Sequence, residues 1–92
     1  MAKCLKINVS FEGDRQPFQE NIASKAKELS LEGILEVVNE NQIEISVCGT
    51  TEKIDDFIDF IYEEHLNVSA VVIDIEPFIK EKDFRLVFRI IE

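Results

Sequence analysis

At 92 residues the chain has room for one domain, and its 46% hydrophobic content is enough for an ordinary globular core. The net charge of −9 repels phosphate backbones and anionic lipid, and the ten Lys and Arg are scattered, so neither nucleic acid nor a membrane is expected as a partner. No apolar run approaches the roughly 20 residues of a membrane span. The opening MAKCLKINVS goes straight into an alternating pattern without an apolar leader. Two cysteines, Cys4 and Cys48, and a single histidine suggest neither a disulfide scaffold nor a zinc cluster. The expectation is a cytoplasmic protein with reduced thiols, no metal and no cofactor, whose acidity serves solubility.

Residues 3–11 alternate: Leu5, Ile7, Val9 and Phe11 point one way, Lys6, Asn8 and Ser10 the other, the period of a half-buried strand. The turn-rich Glu12-Gly13-Asp14-Arg15-Gln16 leads to Pro17, which suits a first helical position. Phe18, Ile22, Ala26 and Leu29 then recur at helical spacing, with Ala23 beside them, and predict an amphipathic helix over 17–29. Gly33 marks the exit from that region. Ile34–Val38 and Gln42–Cys48 read as two strands joined by Asn39-Glu40-Asn41, with Asn taking the φ > 0 position of a tight hairpin.

Gly49-Thr50-Thr51 opens a second helix, with a Thr cap, early acids Glu52, Asp55 and Asp56, and an apolar stripe of Ile54, Phe57, Ile58 and Ile61. Residues 68–76 predict a further strand, with Val68, Ala70, Val72 and Asp74 on one face and Val71, Ile73 and Ile75 on the other. After Pro77 and a Lys80-Glu81-Lys82-Asp83 turn, Phe84, Leu86, Phe88 and Ile90 alternate as a last strand. The order β-α-β-β-α-β plus a terminal strand predicts an α+β, ferredoxin-like sandwich. Two helices would cover one face of a mainly antiparallel sheet, in one domain spanning 1–92.

Specific residues carry a resemblance. Leu29-Ser30-Leu31-Glu32-Gly33 is similar to the Leu-Gly-Leu-x-Gly segment that leads acylphosphatases into their second strand. Gly33, Leu35 and Ile43 sit at corresponding places in the continuation Gly-x-Val-x-Asn-x-x-Asp-Gly-x-Val, Asn41 stands where its turn glycine would be, and Gly49 follows the third strand as in that family. The chain thus resembles the acylphosphatases over essentially its whole length. The resemblance implies a phosphate-cradling loop after the first strand, read in the family as Gly-x-Val-Gln-Gly-Val-x-Phe-Arg. Its Arg clamps the phosphoryl oxygens, and an Asn on the second strand positions the attacking water.

Carried onto this chain, the Phe-Arg pair falls on Phe18-Gln19 and the water-holding Asn falls on Val37. Gln19 offers no cationic fork and Val37 cannot hold a water. The loop itself has lost most of its glycines and gained Glu12 and Asp14. No catalytic residue is therefore predicted. Possible substitutes are Arg15, from the loop, and Asn39, which shares a sheet face with Val37 if the strand stays regular.

His65 ends the second helix, where a cation complements the negative dipole. Asp55-Asp56 and Glu63-Glu64 read as solvated faces. Cys4 and Cys48 are out of phase with their strands' core residues and should lie close together on the open side of the sheet, whether or not they are redox-active. On that face Val37, Val71, Ile73, Val87 and Ile91 form an expected apolar patch. The expected function is a catalytically inactive, acylphosphatase-like interaction module, meeting a protein partner or forming a homodimer through the sheet face or an edge. The alternatives are a divergent acylphosphatase hydrolysing carboxyl–phosphate anhydrides and a small-ligand-binding regulatory domain.

Overall fold

A computed structural model describes residues 2–12, 16–65, 70–77 and 88–91 of the chain. The elements are β1 (Ala2–Phe11), α1 (Gln16–Glu28), β2 (Glu32–Asn39), β3 (Gln42–Thr50), α2 (Thr51–His65), β4 (Ala70–Pro77) and β5 (Phe88–Ile91). One five-stranded sheet has the order β4-β1-β3-β2-β5. Pairing is antiparallel except between β2 and β5, which run parallel. This is the ferredoxin-like α+β arrangement with an added terminal strand.

The alternation in β1 decides which side is covered. Leu5, Ile7, Val9 and Phe11 are buried with Leu35, Ile43, Ile45 and Val47 under Phe18, Ile22 and Ala26 of α1 and Ile54, Phe57 and Ile61 of α2. Directly opposed residues share a face, so register carries this parity across the sheet. Ile7 opposes both Ile45 and Ile75, Val9 opposes Ile43 and Ile73, and Val37 opposes Ile43.

That register corrects the expected apolar patch. Val37 and Ile73 pack against the core beneath the helices. Val87 and the side chain of Val71 lie outside the described residues, as do Val68, the 80–83 turn, Phe84 and Leu86. Among the described residues the open face carries Lys6, Asn8, Ser10, Glu32, Glu36, Gln42, Glu44, Ser46, Asp74, Glu76 and Arg89, with Ile34, Val72 and the correctly expected Ile91 dispersed among them. It is a polar, acidic face rather than an apolar one.

Helix ends follow local chemistry. The backbone N–H of Leu31 donates to Ala26 C=O at 2.9 Å and that of Ser30 donates to Lys27 C=O at 3.0 Å, while Ser30 itself has φ 56°. This is the paired closure of a helix C-terminus around a left-handed residue, a position that favours glycine. The Thr50 side-chain oxygen caps α2 by accepting from Lys53 N–H at 3.3 Å. Gly33 has φ +151° inside β2, and a Cβ there would collide with the Ser46 carbonyl, so close backbone approach requires the glycine.

The hairpin differs from its expected form. Among the described residues Ser30 is the one non-glycine residue with positive φ, so Asn41 does not use the left-handed region. Instead the register slips between Val37 and Asn39, and Asn39 Oδ1 accepts from Asn41 N–H at 2.8 Å. A bulge of this kind adds local twist, and the Asn side chain closes the turn.

Candidate functional site

The phosphate-binding loop implied by the resemblance leaves the sheet at Phe11. There Phe11 N–H donates to Asn41 C=O at 2.9 Å, which ties the end of β1 to the β2–β3 hairpin. The Phe11 and Phe18 rings lie 5.9 Å apart, anchoring the first turn of α1 over the same strand end. The fold thus brings together the end of β1, the start of α1 and the hairpin. Glu12 is exposed at the start of the loop, while Gly13, Asp14 and Arg15 lie outside the described residues.

Both positions that the resemblance assigns to chemistry are turned inward. Gln19 is 1% exposed, in the buried arc of α1 with Phe18, Ile22 and Ala23. A neutral amide costs less to bury than a guanidinium, which would need an anion beside it. Val37 packs on the core and presents only methyl groups. Asn39, the possible substitute on β2, is exposed and its amide oxygen is engaged by the hairpin turn. The regular strand that would align it with Val37 is interrupted by the bulge.

The remaining candidates are dispersed. His65 closes α2. Asp55 accepts from Lys3 Nζ at 3.3 Å, and Glu64 accepts from Asn21 Nδ2 at 3.0 Å, so each acidic doublet contributes a tie between elements. Among the described residues no three His, Cys, Asp or Glu side chains are grouped to hold a metal ion, and no helix is long and apolar enough to cross a membrane.

The cysteines correct the expectation of reduced thiols. Cys4 opposes Cys48 in the β1/β3 ladder with Cα atoms 4.2 Å apart, and the two are joined in a disulfide that leaves no free cysteine. Their proximity follows from strand order, as expected. The bond itself was not expected from only two cysteines.

Comparison with known proteins places this geometry in context. The acylphosphatase family model matches residues 12–89. No curated protein matches the sequence. Among solved structures, an acylphosphatase from Coxiella burnetii is 22% identical with a TM-score of 0.80, covering 97% of this chain and 92% of its own. An acylphosphatase from Bacillus subtilis is 17% identical at TM-score 0.80, with full coverage of both chains. Full-length HypF, in a phosphate- and nucleotide-bound form, is 20% identical at TM-score 0.84 over all of this chain but 12% of its own. At these identities the structures speak for the fold, while the family match spans most of the sequence. The chain belongs to the acylphosphatase family.

Proposed function

We propose that this chain is an acylphosphatase-family domain that does not hydrolyse acyl phosphates and acts by binding a protein partner or a second copy of itself. The observation that carries this reading is the burial of Gln19, at 1% exposure, where the family resemblance calls for a cationic clamp. Val37 supports it, because a methyl-bearing residue packed on the core cannot position a water. Stabilising a phosphoryl oxyanion needs preorganised donors or cations, and losing one typically costs about 3–4 kcal/mol of transition-state stabilisation.

The binding surface in this reading is an edge of the sheet or its open face. Five carboxylates, Glu32, Glu36, Glu44, Asp74 and Glu76, share that face with Lys6 and Arg89, which favours a partner carrying basic groups. The test is benzoyl phosphate hydrolysis alongside light scattering over a range of concentrations. The expected result is no rate above buffer, together with a mass that rises with concentration or with added partner. Turnover that disappears in Arg15→Ala would overturn the reading.

A second reading has one observation in its favour: the chain matches stand-alone acylphosphatases over 92% and 100% of their lengths. In it the protein is a divergent acylphosphatase using Arg15 and Asn39. Under either reading the proposed compartment is the cytoplasm, where a disulfide is more often a cycling pair than a permanent one.

A further inference from the structure

We propose that the Cys4–Cys48 pair is a reversible redox latch: a dithiol reductant opens it and frees the corner where β1, β3 and α2 meet, while the rest of the β1/β3 ladder stays formed. The inference is independent of whether the family site is active. It starts from how weakly that corner is otherwise held. Among described side chains the core begins at Leu5, so the residues before it are kept in place by the end of the ladder, by the disulfide and by one ion pair. That ion pair joins Lys3 Nζ and Asp55 at 3.3 Å, with the two side chains 39% and 61% exposed, a geometry that contributes little. Strand ends held by so few buried contacts fray readily.

From Leu5 onward the situation reverses. Leu5, Ile7 and Val9 oppose Val47, Ile45 and Ile43, all buried, so opening the bond leaves the ladder from Leu5 onward intact and keeps the two thiols within a short reach of each other. Rejoining them then requires only the short strand end before Leu5 to close again. This makes the pair reversible.

Access is one-sided. Cys48 is 3% exposed, whereas Cys4 is partly exposed. The reductant's thiolate attacks Cys4 Sγ, forming a mixed disulfide and expelling Cys48 as a thiolate. The reductant's second thiol then displaces Cys4, so two electrons and two protons pass to this chain and the reductant leaves as its own disulfide. Glu32 opposes Cys48 across β2/β3 on the same face. Its negative charge disfavours the leaving thiolate and slows opening.

Backbone hydrogen exchange on the full chain, oxidised and reduced with dithiothreitol, tests the latch. Reduction is expected to speed exchange at Lys3–Cys4 and Lys53 at least tenfold, with little change at Ile43–Ile45. The paired Cys4→Ser/Cys48→Ser variant should match the reduced chain and ignore the reductant. Glu32→Gln should open severalfold faster with the same exchange pattern once reduced. Equal exchange at the corner in both states would overturn the proposal. So would unfolding throughout on reduction, which makes the pair a staple of the whole fold, or two freely titrating thiols in the air-oxidised native chain.

Discussion

The two ends of the β1/β3 ladder are built differently. At one end Cys4 and Cys48 are covalently joined beside a capped helix start, far from any position the family uses for chemistry. At the other, roughly 20 Å along the strand, Phe11 meets the hairpin and α1, and of the positions that the resemblance assigns to chemistry Gln19 is buried and Val37 is half-buried against the core. The same sheet therefore supports a covalent tie at one end and, at the other, the positions that the family resemblance assigns to chemistry.

This contrast can be broken from either end. At the site end Phe18 is fully buried and holds α1 over Phe11. Phe18→Ala should lower stability by about 3–5 kcal/mol in denaturant unfolding, since it leaves a cavity that the strand cannot fill. At the covalent end, replacing both cysteines releases a loop of sequence separation 44, which should cost about 2–4 kcal/mol, chiefly through the unfolded state. A chain of this size has on the order of 5–14 kcal/mol in total. Equilibrium unfolding should therefore show the double variant still folded but with an earlier midpoint.

Much of the fold could be read from period and punctuation. Leu5, Ile7, Val9 and Phe11 alternate with polar residues, so the buried side of β1 was unambiguous. Ile34-Leu35-Glu36-Val37-Val38 and Val71-Val72-Ile73 have apolar residues at both parities, and there the sequence cannot say which set is covered. Register against β1 and β3 settles it, burying Leu35 and turning Val37 and Ile73 toward the core while Val72 faces out. The bulge that takes Asn39 out of line with Val37 was likewise hidden, because it depends on how the hairpin closes. Proximity of the cysteines was legible from strand order, but the bond was not. That the resemblance puts Gln19 at its cationic position was legible in the sequence, whereas the burial of Gln19 depended on how α1 rotates onto the sheet.

Smaller effects sharpen the comparison. Ser30 holds φ 56° where the family's motif has glycine. Ser30→Gly should relieve left-handed strain and raise stability by about 1 kcal/mol, read as a higher thermal midpoint. On the open face Glu36 directly opposes Glu44, whose carboxylate already lies 3.8 Å from Lys6 Nζ. Glu36→Lys should stabilise by about 0.2–1 kcal/mol, with the gain shrinking at high salt.

The most direct test is the steady-state rate of benzoyl phosphate hydrolysis by the unmodified chain, measured beside Arg15→Ala. The account predicts no rate above that of buffer for either protein. A saturable rate in the unmodified chain that is lost on removing Arg15 would contradict it.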